Sequence, residues 1–403
     1  MRDLTRDITK YASELEDELR EILRFWTINT PDEQNGGFVG KIDNDNTIDY
    51  NAPKGAVLNS RILWTFSAAW NLTREQGYLD MARRACKYLT AYFLDKEFGG
   101  VYWTVDAAGN PLDTKKQVYA CAFAIYALSE YYKASSDQEA LALAIDMYHV
   151  LVHYSYDEER SGYFEAFSRN WGPIDDLRLS AKDANEKKTM NTHLHLLEAY
   201  TNLYRVWKDE GLRMEIAKLI GNFSSFMIDK DTWHLILFLD EHWVRKSEDI
   251  SYGHDIEASW LLLEAAEVID DEVLIAQMKQ NAIKMASASE EGLDKDGGLW
   301  YEFTPSTMHV VKEKHWWVQA EAMVGFFNAW QVSGEERFLQ ASLSNWQFVK
   351  ANIIDRKNGE WFWGVGGNGE VMSKEDKVGL WKCPYHNSRA CIEIISRVRV
   401  LAK

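Results

Sequence analysis

Only four cysteines occur in the 403 residues (Cys86, Cys121, Cys383 and Cys391), and no CxxC spacing links them, so neither a disulfide framework nor a thiolate metal site is expected. No apolar run approaches the roughly 20 residues that a membrane-spanning helix requires. The opening segment MRDLTRDITKYASELEDE also lacks the apolar stretch of a signal peptide, so a reducing cytoplasm is the expected compartment. Cations are scarce too. Lys and Arg total 45 against 62 Asp and Glu, a formal net charge of −17, and no stretch gathers the basic residues on one face. A nucleic-acid backbone or an anionic membrane surface would be repelled, which leaves a neutral ligand as the expected partner.

What the chain has in quantity is apolar and aromatic residues. Hydrophobic residues make up 46% and charged residues 27%, an ordinary globular balance with material for a large core. The 17 Trp, 19 Tyr and 17 Phe serve cores everywhere, but aromatic faces also suit the C–H-rich faces of pyranose rings, a weak pointer to carbohydrate. Length alone would allow two or three domains, so internal pattern has to decide.

A short strand motif recurs six times: GGFVG at 36, GGVYW at 99, SGYFE at 161, WHLILFLD at 233, GGLWYEF at 297 and GEWFWG at 359, mostly 62 to 64 residues apart. The longer step before Trp233 contains the loop from Asn170 to Glu186. Turn residues follow the strands (Asp43-Asn44, Gly109-Asn110, Gly172-Pro173, Pro305-Ser306, Gly366 to Gly369), which predicts β-hairpins. Each hairpin leads into a helix that begins near Lys54, Lys116, Lys188, His254, Lys314 or Pro384 and is apolar on most faces, hence interior. The alternate helices carry a single apolar stripe and a charged face, hence exterior. The reading is all-α: one (α/α)6 barrel over residues 1–403, six inner and six outer helices, with all hairpins at one end.

This arrangement gathers the first turns of the inner helices around one mouth of the central cavity. The residues there are Asn59 and Arg61; Tyr119; Asn191, His193 and His195; His254 and Glu257; Trp316 and Trp317; Trp381, His386 and Arg389. His254 and Glu257 are spaced i, i+3, so the carboxylate is expected to orient the imidazole and favour its protonated form against the helix N-terminus, giving a histidine that titrates near neutrality. The alternative is a capping histidine satisfied by Glu257. Asn191 and His195 share a helix face that His193 does not, which argues against a His-x-His metal pair. His149 and His153 have ligand spacing but lie on an outer helix with no third ligand in view. Arg61 among Ile62, Leu63, Trp64 and Phe66 either snorkels to the rim or stabilises an oxyanion. His386 is a capping residue or, across the ring from His254, the second member of a catalytic pair.

NTHLHLLEAYTNLY (191–204), GHDIEASWLLLEAA (253–266), HWWVQAEAM (315–323) and WKCPYHNSRACIEI (381–394) together resemble the cellobiose 2-epimerases of the N-acylglucosamine 2-epimerase superfamily. The resemblance spans essentially the whole chain. It implies an (α/α)6 barrel and a reaction without metal or cofactor that inverts C2 of the reducing-end glucose or mannose in a β-1,4-linked disaccharide. It also implies His254 and His386 as the acid–base pair, His195 and Arg61 around the reacting oxygens, Tyr119, Asn191 and Glu257 holding the reducing sugar, and Trp317 and Trp381 stacking on sugar rings. Mannobiose, lactose and cellobiose are equally compatible, and a monomer or weak homo-oligomer is expected.

The chemistry follows from acidity. The C2 proton is acidic only in the open-chain aldehyde, so ring opening precedes abstraction by an imidazole, formation of a cis-enediolate and reprotonation on the other face. Either two bases or one base with rotation of the intermediate accomplishes this, with a bell-shaped pH profile. A monosaccharide epimerase or aldose-ketose isomerase is the runner-up. A glycoside hydrolase would need two carboxylates at the scissile bond, and on the rim the sequence offers Glu257 and at most Asp183. A non-catalytic sugar-binding toroid would leave the paired histidines unexplained.

Overall fold

The computed structural model describes residues 4–401, which form twelve α-helices: α1 (Leu4–Asn29), α2 (Ala56–Thr73), α3 (Gln76–Tyr88), α4 (Val118–Ser135), α5 (Gln138–Ser155), α6 (Met190–Val206), α7 (Glu210–Asn222), α8 (Tyr252–Val268), α9 (Glu272–Ser289), α10 (Trp316–Ser333), α11 (Glu336–Asn352) and α12 (Tyr385–Leu401). The even-numbered helices each pack on the next even one, and α12 returns to α2, closing an inner ring. Each outer helix lies against an inner one, with α1 on α12. The alternation expected from the sequence is therefore present, and the inner helices start within two residues of the expected positions.

Composition explains which helix goes where. In α4 every residue from Val118 to Tyr131 is buried, as is every residue of α2 from Ala56 to Ala69. A helix without a polar face cannot rest on a surface, so it becomes the wall of the cavity. The outer helices bury a stripe, such as Leu79, Ala82, Ala85, Cys86 and Tyr88 of α3. Aspartate caps begin several of them, with Asp137, Asp209 and Asp271 accepting backbone N–H bonds at the starts of α5, α7 and α9.

The strands are shorter than the sequence motifs suggest, two or three residues each: β1 (Lys54–Gly55), β2 (Thr104–Val105), β3 (Pro111–Asp113), β4 (Lys116–Gln117), β5 (Ala166–Phe167), β6 (Lys188–Thr189), β7 (Phe238–Leu239), β8 (Ile250–Ser251), β9 (Glu302–Thr304), β10 (His309–Val311), β11 (Lys314–His315) and β12 (Gly364–Val365). Their pairing links neighbouring repeats. The strand entering an inner helix pairs with the hairpin of the next repeat (β1 with β2, β4 with β5, β6 with β7, β8 with β9, β11 with β12), and an Ile42–Val378 bridge joins the first repeat to the last. The segment from Gly172 to Lys187 is irregular, tied down by bonds such as Gln117 Nε2 to the carbonyls of Leu177 and Arg178.

An aspartate, buried in four repeats and half-buried in two, follows each outer helix, and in five repeats it meets a lysine ammonium: Asp32–Lys54 at 2.8 Å, Asp95–Lys116 at 2.9 Å, Asp157–Lys188 at 2.8 Å, Asp294–Lys314 at 2.7 Å and Asp355–Lys377 at 2.6 Å. In the fourth repeat Asp229 takes Arg245 instead. Burial works to raise these carboxyls, but lysine and backbone N–H groups, and for Asp95 first of all Arg169, overcome it, so Asp32, Asp95, Asp157 and Asp355 all sit below the usual range. Other acids go the opposite way. Burial pushes Glu18, Glu165 and Glu302 up to about 7.

These opposed shifts predict a stability optimum. A lowered carboxyl stabilises above its unfolded value and loses that contribution as pH falls through the folded one. A raised carboxyl costs stability as pH climbs from the unfolded value to about 7. The contribution of these carboxyls to stability is therefore expected to be greatest between about pH 4 and 5 and to fall on either side. Scanning calorimetry of Glu165→Gln beside the wild type would check the raised group: the variant's midpoint should gain on the wild type's from about pH 5 to 8, and a difference that does not change with pH would contradict the shift.

Candidate active site

In α6, α8 and α10 the first turn presents one side chain toward the hairpin and others into the cavity. Outward, at the fourth helical residue, the Tyr163 N–H donates to His193 Nε2 (2.9 Å), the Leu235 N–H to Asp255 Oδ1 (2.7 Å) and the Leu299 N–H to Gln319 Oε1 (2.8 Å). These bonds fasten hairpin to helix. His193 thus faces away from His195, as its spacing predicted, and ties hairpin to helix: Nδ1–H donates to the Thr189 carbonyl (2.7 Å), and burial lowers its pKa to about 4.

Inward, the cavity is organised by Arg389, which the sequence places on the rim without a role. Its Nη2 donates to Glu257 Oε1 (2.5 Å) and Glu321 Oε1 (2.6 Å), and its Nη1 to Glu198 Oε1 and Tyr385 Oη. All of these side chains are buried. Glu198 and Glu321 lie one turn deeper than the rim and were not anticipated. Burial would raise Glu198, but Arg389, His195 and Tyr385 bring it down to about 2. Burial and the neighbouring Glu321 raise Glu257 to about 7.

Two histidines rest on this cluster. His386 Nδ1 donates to Glu321 Oε1 (2.7 Å), and His195 Nδ1 to Glu198 Oε2 (2.9 Å). A carboxylate only accepts, so each Nδ1 carries a proton, and in the neutral His386 ring Nε2 is left with a lone pair that can act as a base. Burial lowers His386 well below its ordinary value, and the Arg61 and Arg389 cations add to this. His254 differs from expectation. Its Nδ1 shares a 2.8 Å hydrogen bond with Ser251 Oγ, not with Glu257, whose carboxylate is turned to Arg389. Without an anionic partner, burial and nearby His195 push His254 down to about 3, so it is a neutral imidazole at pH 7 and not one titrating near neutrality.

The indole of Trp317 joins the two proposed partners, its ring centre 4.7 Å from that of His254 and 5.8 Å from that of His386. Beside them Arg61 donates to Tyr119 Oη (2.8 Å), and its guanidinium lies over Phe123 (4.2 Å) and Tyr385 (4.9 Å). It is buried, so it does not snorkel. Tyr119 meets His195 edge-on at 5.0 Å and Trp381 at 6.0 Å, and Trp381 in turn packs against Trp103, a second aromatic the sequence did not single out. Asn191, half-buried at the start of α6, has an Oδ1 with no hydrogen-bond partner. His149 and His153 are exposed on α5, away from any ligand cluster. Glu257, Glu321 and His386 are the one group with metal-ligand proximity among the described residues, and the Arg389 guanidinium already bridges its two carboxylates.

The profile of the N-acylglucosamine 2-epimerase (GlcNAc 2-epimerase) family matches residues 36–390, from the first hairpin to the first turns of α12. The chain belongs to this family. It is 50% identical over 383 residues to a cellobiose 2-epimerase of Bacteroides fragilis, covering 95% of this chain and 98% of that one. It is 41% identical to a cellobiose 2-epimerase of Dictyoglomus turgidum, covering 97% of this chain and all of the other. A solved structure of cellobiose 2-epimerase from Spirochaeta thermophila matches with a TM-score of 0.94 at 37% identity over the full length of both chains. Family and fold together make this epimerase an isomerase acting on carbohydrate. No helix among the described residues is long and apolar enough to cross a membrane.

Proposed function

We propose that this epimerase inverts C2 of the reducing-end glucose or mannose in a β-1,4-linked disaccharide such as cellobiose, without metal or cofactor, and that residues 1–403 act as one catalytic unit. The observation that carries the reading is a pair of neutral imidazoles, His254 and His386, both against Trp317, with the Arg61 cation near His386. A base for a carbon acid has to be unprotonated at working pH, and both rings are.

In this mechanism the ring opens first, the proton of the C1 hydroxyl passing to the ring oxygen through an imidazole. One imidazole then takes the C2 proton and becomes imidazolium. The enediolate oxygens face Arg61 and His195, where buried cationic and N–H donors stabilise charge far better than water would. Return of a proton to the opposite face gives the epimer. Glu257, on Arg389, and Asn191 hold sugar hydroxyls, and Trp317 and Trp381 stack on the rings. The cavity contains more carboxylates than the sequence suggested, but Glu198, Glu257 and Glu321 are all bound to Arg389. A glycosidase needs one carboxyl free to donate a proton to the scissile oxygen, and although burial raises Glu257 and Glu321, both are already engaged by the Arg389 guanidinium.

In D2O, cellobiose is expected to give its mannose-terminated epimer with deuterium at C2, seen as loss of the C2 proton signal in NMR. The glycosidic bond should stay intact and the rate should be unchanged after exhaustive chelation. Free glucose should react much more slowly, because a second ring is needed to draw binding energy from the aromatic platforms. Equal turnover of glucose or N-acetylglucosamine would move the enzyme to monosaccharide chemistry. Loss of activity with EDTA and its return with a divalent cation would end the metal-independent reading.

A further inference from the structure

The six repeats depart from one another at a position that bears on catalysis. Five residues after the conserved hairpin aspartate (four after Asp294), four repeats have glycine: Gly37, Gly100, Gly162 and Gly298. A Cβ there would collide with a neighbour, with Tyr88 at 2.4 Å from Gly37, Trp171 at 2.9 Å from Gly100, Trp243 at 2.5 Å from Gly162 and Lys314 at 2.6 Å from Gly298. The other two repeats have His234 and Glu360, both buried. Glu360 even keeps the glycine-like backbone, with φ of 63° close to the 63° to 85° of Gly37, Gly100 and Gly162. A non-glycine residue in that region is strained and persists only where its side chain is held.

Both side chains reach the first turn of the inner helix in their own repeat. His234 Nδ1 donates to Asp255 Oδ2 (2.7 Å), while Asp255 Oδ1 accepts the Leu235 N–H. Glu360 Oε1 accepts from Asn387 Nδ2 (2.7 Å) and Lys382 Nζ (2.7 Å), and its Oε2 accepts from Trp26 Nε1 (2.6 Å). Asp255 directly follows His254, and Asn387 directly follows His386. The two repeats that depart from glycine are therefore the two whose inner helices carry the proposed bases.

We infer that His234 and Glu360 are positioning residues that fix the first turns of α8 and α12, and with them the reach of the His254 and His386 imidazoles. This rests on the assignment of those two histidines as the proton-transferring pair. A helix turn held on its outer side by a buried charged hydrogen bond cannot tilt, and a displacement of about 1 Å at a proton-transfer group costs up to about 100-fold in rate. Binding contacts made by Tyr119 and Asn191 come from other helices and should be spared.

The test replaces each residue with the glycine that the other repeats tolerate. His234→Gly and Glu360→Gly are expected to lower kcat for cellobiose by about 10- to 100-fold with KM within about threefold. His234→Gln and Glu360→Gln, which keep a donor to Asp255 and an acceptor for Asn387, should recover most of the loss. Asp95→Asn, which breaks the buried pair with Lys116 in a different repeat, serves as the structural control, with a lower melting temperature and unchanged kcat. If His234→Gly keeps kcat within twofold of wild type, or if glutamine restores nothing, the inference is overturned. Should Glu360→Gly not fold, the His234 variants decide alone. His254→Asn and His386→Asn, assayed in parallel, separate the two readings: active asparagine variants remove the catalytic assignment, whereas inactive ones beside a fully active His234→Gly remove only the positioning role.

Discussion

Asparagine in place of His254 or His386 is expected to cut kcat for epimerisation by about 10²- to 10⁴-fold, the usual worth of a positioned proton-transfer group. Stability should change by no more than about 1–2 kcal/mol, because neither ring fills the core: His254 makes one hydrogen bond, to Ser251, and His386 one, to Glu321, each of which an amide can partly replace. Because His254 stays neutral down to about 3, the acid limb of the wild-type pH–rate profile should not be set by that residue. Steady-state kinetics with thermal melts would check all three points. Near-wild-type turnover in both variants would defeat the assignment.

The largest stability loss is expected from Arg389→Met. The guanidinium holds Glu198, Glu257 and Glu321 together in a site from which water is excluded, and removal leaves three carboxylates with no cation among them. Breaking a buried charge pair typically costs about 3–5 kcal/mol, and here the repulsion of three like charges adds to it. Protonation relieves that repulsion, so the deficit in urea midpoint should shrink between pH 7 and 5. Arg389→Lys should recover little, since a single ammonium cannot present the planar fork that bridges three acceptors. A variant as stable as wild type at pH 7 would show that the cluster does not hold the inner ring together.

Much of this architecture was legible because repetition exposes it. Six strand motifs at near-constant spacing, and helices either apolar all round or striped, led to inner helices whose starts lie within two residues of those observed. The rim residues His254, His386, His195, Arg61, Tyr119, Trp317 and Trp381 do come together. Partnerships across the ring were not legible. The i, i+3 spacing of His254 and Glu257 is real, yet Glu257 turns to Arg389, 132 residues away in sequence, and local periodicity has no knowledge of that competitor. Glu198 and Glu321 escaped because only first turns were considered. A signal was available, since a glutamate in a helix buried on every side, as in HLLEAY or VQAEAM, has to find a cation or a proton. His234 and Glu360 likewise show themselves only when the repeats are aligned against their glycines.

The Ile42–Val378 bridge alters what kind of object this repeat protein is. Open arrays of stacked repeats have a first and a last member, each with one neighbour, and they lose structure from those ends inward. Here the first and last repeats are neighbours, joined also by Asn44 Nδ2 to the Glu375 carbonyl and Lys377 Nζ to Asn46 Oδ1, while Tyr11 and Glu14 of α1 reach Ser342, Trp346 and Lys350 of α11. Every repeat is thereby flanked on both sides, and no single one can fray without opening the circle. Local unfolding at the rim then has to break two seams at once. This keeps six first turns, drawn from distant parts of the chain, in fixed register around a common centre.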